Sequence, residues 1–185
     1  TQLTLFSSPD TRSINGNGTQ LILVGLIGVE ARHIQNFSCD VKTLDVSRST
    51  LDNNVFQFLR NWPHLTSLNA SQSSVTKFDL RAVGELHQLT SLDLQKTAVD
   101  DSGVIEIESL VNMTTLKIEK TSVTQKSLNA FGKFKNLSSL TLPFVPDAVG
   151  LIQLLESCPQ LSFLEYLPNE SVTTPRESED KAIEF

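Results

Sequence analysis

The stretch LTSLDLQKTAVDDSGVIEIESLVN, residues 89–112, carries two hydrophobic periods in one unit. Leu92 and Leu94 are two residues apart, so they fall on one side of a short strand. Val104, Ile107 and Leu110 are three apart, which suits one side of a helix or a 3₁₀ stretch. Strand followed by helix within so few residues is one coil of a solenoid. A single coil cannot bury its own leucines, so neighbours must stack on it.

The neighbours are there. Units begin at Val41, Leu65, Leu89, Met113, Leu137 and Leu161, each 24 residues after the last and without a gap. Position four of the unit is leucine throughout: Leu44, Leu68, Leu92, Leu116, Leu140 and Leu164. Position six holds Val46, Ala70, Leu94, Ile118, Leu142 and Tyr166, and position eleven holds Leu51, Val75, Val99 and Val123 before breaking at Asp147. Positions sixteen, nineteen and twenty-two are apolar in all five full units, from Phe56, Leu59 and Trp62 to Ile152, Leu155 and Cys158. A shorter coil starting at Gly18 places Leu21 and Leu23 in positions four and six.

The opening L-x-x-L-x-L of each unit resembles the leucine-rich-repeat family. The run from Leu89 to Val104 is similar to its 24-residue variety, with threonine in place of the usual asparagine at position nine. The resemblance covers roughly residues 18 to 166. It implies an α/β solenoid with a curved parallel sheet on the concave side and short helices on the convex side. It says little of function, because the family serves many partners. Position nine reads Ser49, Ser73, Thr97, Thr121 and Val145. Serine and threonine satisfy the backbone of the turn leaving the strand more weakly than asparagine does. Val145, flanked by Pro143 and Pro146, cannot, so the fifth full coil is expected to be irregular on that side.

These columns divide the chain into a capping segment (1–17), the repeat domain (18–168) and an acidic tail (169–185), whose Ile183 and Phe185 are able to shield the last coil by folding back. The chain begins at Thr1 rather than methionine, so a piece of a longer protein is an open expectation. With 21 acidic against 15 basic residues and a net charge of −6, the composition argues against non-specific hold on nucleic acid or anionic lipid. The longest apolar run, Leu21 to Val29, is about half of the ~18 residues a membrane helix needs.

No catalytic constellation is legible. His33, His64 and His87 have no acid or nucleophile placed by the repeat to work with them. No cofactor, metal or small-molecule substrate is implied, and NGNG at Asn15–Gly18 reads as a turn. Cys39 and Cys158 both fall at position twenty-two, five coils apart. At a strand spacing of ~4.8 Å they lie on the order of 24 Å from one another, beyond disulfide reach. Two buried free thiols lean toward the cytoplasm. Six N-x-S/T sequons, at Asn17, Asn36, Asn69, Asn112, Asn136 and Asn169, keep a secreted or cell-surface alternative open.

The expected function is a non-catalytic protein–protein interaction module, with an adaptor or scaffold role, that binds a protein partner on the concave sheet. Positions two, three, five, seven and eight are expected to point there. Position five begins Asp45, Asn69, Asp93, Lys117, and position eight reads Arg48, Gln72, Lys96, Lys120, Phe144. A bland alternative is that Asp45 pairs with Arg48 and Asp93 with Lys96 on a solvated face. An apolar patch of Phe144, Phe163 and Leu167 is a second candidate contact. The alternative functions are the substrate-recognition part of a ubiquitin ligase or of a bacterial effector, which needs further sequence, and a structural subunit of a larger assembly. The outward Ile22 and Val24 of the first strand favour the latter.

Overall fold

The computed structural model describes residues 20–30, 34, 40–52 and 54–166, together with the backbone of 181–184. Seven short strands follow one another in a parallel sheet: β1 (Gln20–Ile22), β2 (Thr43–Asp45), β3 (Ser67–Asn69), β4 (Ser91–Asp93), β5 (Thr115–Lys117), β6 (Ser139–Leu142) and β7 (Phe163–Tyr166). The position-four leucines pair directly across every interface, Leu21 with Leu44 and onward to Leu140 with Leu164. The sequence period is therefore also the register, and the coil starting at Gly18 is in register despite its shorter step.

The helices return the chain on the other side of the core. They are α1 (Asn54–Phe58, continued as a 3₁₀ turn at Leu59–Asn61), α2 (Lys77–Val83), α3 (Asp101–Glu106), α4 (Leu128–Phe131, preceded by a 3₁₀ turn at Gln125–Ser127) and α5 (Ala148–Ser157). One continuous core runs between the layers, holding the leucine column with Phe56, Trp62, Phe131 and Phe134. Each of these buried leucines contributes about 1.5–3 kcal/mol of transfer free energy.

Hydroxyls tie the coils together. At position two, Thr66, Thr90, Thr114, Ser138 and Ser162 each donate to the position-two carbonyl of the coil before, at 3.0–3.2 Å. Position nine does what its residue types predict: Ser73, Thr97 and Thr121 donate to the position-six carbonyls of Ala70, Leu94 and Ile118 at 2.6–2.7 Å. Position twelve caps the helices. Asp100 accepts from the Gly103 amide at 3.1 Å, and Thr76 forms a reciprocal capping box with Asp79. The convex layer is stacked tightly enough that a Cβ at Gly84 would lie 2.1 Å from the carbonyl oxygen of Glu106.

The fifth full coil departs from the others, as Val145 and its prolines predict. Its cap is Asp147, one residue earlier than in the coils before, and α5 is the longest helix described, at 10 residues. The earlier start rotates the helix, so Ile152 is exposed rather than in the core, and Gly150 and Leu154 are buried instead. That corrects the position-sixteen column for this coil. A second correction concerns position seven. Ser47, Ser71, Glu119 and Pro143 are buried, because the strands end before this position and the chain is already turning.

The segment read as a tail contributes β8 (Lys181–Glu184), antiparallel to β7, with Leu164 opposite Ile183. The first 19 residues, Cys39 and Leu167 lie outside the described residues.

Candidate functional site

Three rows cross the sheet face opposite the helices. Position three supplies Thr43, Ser67, Ser91, Thr115 and Ser139, all half-buried. Position five supplies Asp45, Asn69, Asp93, Lys117 and Thr141. Here the aspartate and asparagine side chains have a local task. Asp45 Oδ1 accepts the Ser47 amide at 2.9 Å, Asn69 Oδ1 that of Ser71 at 3.1 Å and Asp93 Oδ1 that of Gln95 at 3.1 Å. Each closes an Asx turn at the end of its strand. Asn69 Nδ2 also donates to Asp45 Oδ2 at 3.1 Å, linking two coils. Burial pushes the Asp93 carboxyl above the usual aspartate range, with Glu119 and Asp45 adding to it against the Gln95 amide and Lys117.

Position eight forms the third row, a lip where the strands run out. The ladder continues past the strands: the amides of Arg48, Gln72 and Lys96 donate to Ser71, Gln95 and Glu119 of the next coil at 2.7–3.0 Å. The chain then turns through a left-handed backbone, with φ of 57° at Arg48, 56° at Gln72, 54° at Lys96 and 55° at Lys120. The first coil has Gly25 at the same place, with φ of 71°. Glycine adopts this region freely, whereas other L-residues are held there at a cost of about 1–2 kcal/mol each. All four side chains are exposed.

The sheet-face ion pairs read from the sequence do not form. Among the described residues no salt bridge joins Asp45 to Arg48 or Asp93 to Lys96, and a pair forms instead on the helix side, Arg60 with Glu85 at 2.7 Å. Lys117 is half-buried beside Asp93, and the buried Glu119 accepts a hydrogen bond from the Thr141 hydroxyl.

This chain matches no protein-family model and no curated protein sequence. Among solved structures it is similar to the Arabidopsis receptor kinase HAESA, in complex with the peptide hormone IDA and the co-receptor SERK1. That likeness has a TM-score of 0.51 and 17% identity over 81% of this chain. The fold is a leucine-rich-repeat solenoid. Two Listeria monocytogenes internalins are also similar, inlF with a TM-score of 0.46 and 15% identity over 74% of this chain, and inlC2 with 0.48 and 12% over 80%. The chain spans 29% of the HAESA chain, 51% of inlF and 80% of inlC2.

The aromatic candidates of this leucine-rich-repeat domain are only half-exposed. Phe144 packs against the core, and Phe163 lies between Ser139 of β6 and Glu184 of β8. The large apolar side chains that do face solvent are mostly on the helix side: Phe78, Ile105, Val149 and Ile152. Ile22 and Val24 of the first coil are half-buried. His64 and His87 are exposed in turns, and His33 lies outside the described residues. Among the described residues no group of histidine, cysteine and carboxylate side chains is arranged to hold a metal, and no helix is long and apolar enough to cross a membrane.

Cys158 is a buried free thiol. Its Sγ lies 3.4 Å from the Phe131 carbonyl, and burial pushes its pKa up, which makes it a poor nucleophile. The sequon asparagines Asn112 and Asn136 donate their Nδ2 to the carbonyls of His87 and Val111 in the coil before, at 2.9 and 3.3 Å. They are turn residues used for stacking, which accounts for their recurrence in the repeat.

Two features of the site escaped the sequence reading. The left-handed lip had one visible signal, a glycine at position eight of the first coil. The caps at Thr76, Asp100 and Thr124 had another, in T-x-x-D at Thr76–Asp79.

Proposed function

We propose that this domain is a non-catalytic binding module that holds a protein partner against its concave sheet and the adjoining lip. One observation carries the reading. Four successive coils hold an exposed arginine, lysine or glutamine in a backbone conformation that glycine would adopt without strain. Stability does not account for that choice of residue, since none of the four side chains is buried or ion-paired among the described residues. A surface that keeps strained, solvent-facing polar side chains in a line is organised for contact. The solved HAESA complex, in which a protein of this fold holds a peptide hormone, supports the reading by analogy of fold. We read the compartment as cytoplasmic, a reading supported by the buried Cys158 thiol and by the stacking role of Asn112 and Asn136.

Photo-crosslinking from single positions tests the surface. A photoreactive residue at Gln72, on the lip, should give discrete adducts in an extract of the source cells. The same residue at Arg81, exposed on α2, should give none. Equal labelling from both, or labelling from Arg81 alone, would refute the assignment of the face.

A further inference from the structure

We infer that the partner presents an acidic polypeptide segment, laid across the strand ends along Arg48, Lys96 and Lys120, with Lys117 beside them. This rests on the reading of the sheet face as the binding surface, and adds the chemistry of what binds there.

The face contains charges of both signs, but they differ in what they offer to solvent. Asp45 and Asp93 are half-buried and each accepts a backbone amide within its own turn. Glu119 is buried and accepts the Thr141 hydroxyl. Arg48, Lys96 and Lys120 stand exposed on the lip and carry no salt bridge to a described residue, and the backbone of Arg48 and Lys96 is fixed by the ladder. An approaching chain therefore meets cations first. The acids are half-buried or buried and already engaged, and Lys117 stands beside Asp93 in the sheet register.

Geometry sets the scale of the segment. Lys96 and Lys120 are one strand step apart, about 5 Å, and Arg48 is two steps further, about 10 Å. An extended chain advances ~3.3 Å per residue, so four or five residues span the row. Gln72 sits between the cations and offers both a donor and an acceptor to the same segment.

The chain as a whole carries −6, so its long-range field repels polyanions. Three or four cations are too few to hold a duplex or a lipid surface against that field. A short acidic segment feels mainly the charges within a Debye length of about 8–10 Å, where the lip dominates.

The test uses the whole ¹⁵N-labelled chain and a short synthetic Glu/Ser peptide as probe. The controls are its Gln/Ser counterpart, a single-stranded oligonucleotide and phosphatidylserine vesicles. The Glu/Ser peptide should shift the amide signals of Gln72, Lys96, Lys117 and Lys120, and the Gln/Ser peptide should not. Raising salt from about 50 to about 300 mM should weaken binding roughly fivefold or more. The triple variant Arg48→Gln, Lys96→Gln, Lys120→Gln should weaken it roughly tenfold. Its folding is safeguarded by Gln72, which shows that glutamine is accepted at this φ.

Shifts confined to the helix-side cations Lys77, Arg81, Lys133 and Lys135 would overturn the inference. So would undiminished binding by the triple variant, or tighter binding of the oligonucleotide or vesicles. If the acidic peptide fails while cross-links from Gln72 persist, the partner is not acidic and the binding face stands. If the peptide binds the lip but Gln72 yields no adduct in extract, the charge chemistry stands and the proposed function falls.

Discussion

Replacing Lys96 by glycine separates what the lip does for the fold from what it does for a partner. Lys96 has φ of 54°, is exposed, and has no hydrogen bond from its side chain to any described residue. Relieving a left-handed L-residue returns about 1–2 kcal/mol. The added freedom of glycine in the unfolded chain costs about 0.5–1 kcal/mol. The balance is a variant between equal stability and about 1.5 kcal/mol of gain, even though the substitution removes a long side chain from a sheet face. Urea denaturation gives the value, with the slope checked against the parent to confirm that the unfolded states match. Thr115→Gly, in β5 and in ordinary extended backbone, serves as the control and should lose about 1 kcal/mol or more. The same Lys96→Gly protein should bind the acidic peptide more weakly. A loss of more than about 1 kcal/mol on Lys96→Gly would refute the reasoning, because it would mean the side chain supports the fold and needs no partner to explain it.

Leu92 is fully buried at the centre of the leucine ladder, so Leu92→Ala should cost about 2–5 kcal/mol, and chemical denaturation showing under ~1 kcal/mol would contradict the register. Thr97→Val keeps the shape but removes the donor to the Leu94 carbonyl. It should cost about 1–3 kcal/mol, whereas Ser122→Val, exposed in the next coil, should change stability by less than about 0.5 kcal/mol. Asp100, bonded by the Ser102 hydroxyl and the Gly103 amide, and Asp147, bonded by the Gly150 amide and Gln125, titrate below the ordinary aspartate range. Their stabilisation is present above the unfolded pKa of about 3.9 and is lost as pH falls through the depressed folded values. Asp100→Ala should therefore destabilise at pH 7 and flatten the acid limb of the stability–pH curve. Cys158 should resist thiol reagents in the native protein and react after unfolding; fast native labelling would contradict its burial.

The leucine columns at positions four and six were legible because a sheet whose strands pair in register must repeat its core residues at the coil length. The hydroxyls at position nine were legible because the turn leaving each strand has a carbonyl to satisfy, and serine and threonine are able to satisfy it. The irregular fifth coil was legible for the converse reason: Val145 has no donor. By contrast, Ile152 was misassigned because position sixteen is core only when the helix starts after position twelve. Asp147 caps α5 one residue early, and a rotation of that size is not visible in a column of apolar letters.

The binding rows divide in the same way. The residue types along positions five and eight, and the excess of acid over base in the chain, belong to the sequence alone. Which of those charges faces solvent does not. Asp45 and Asp93 turn inward onto the amides of their own turns, while Arg48, Lys96 and Lys120 are carried outward by left-handed backbone that arginine and lysine give no hint of adopting. At Arg48, Gln72 and Lys96 that conformation follows directly on the ladder of the neighbouring coil, which fixes their amides before the chain turns. Periodicity sets the core because burial repeats with the coil. The sign of the surface depends on which hydrogen bonds the stacked coils leave unsatisfied, and those exist only once the coils have met.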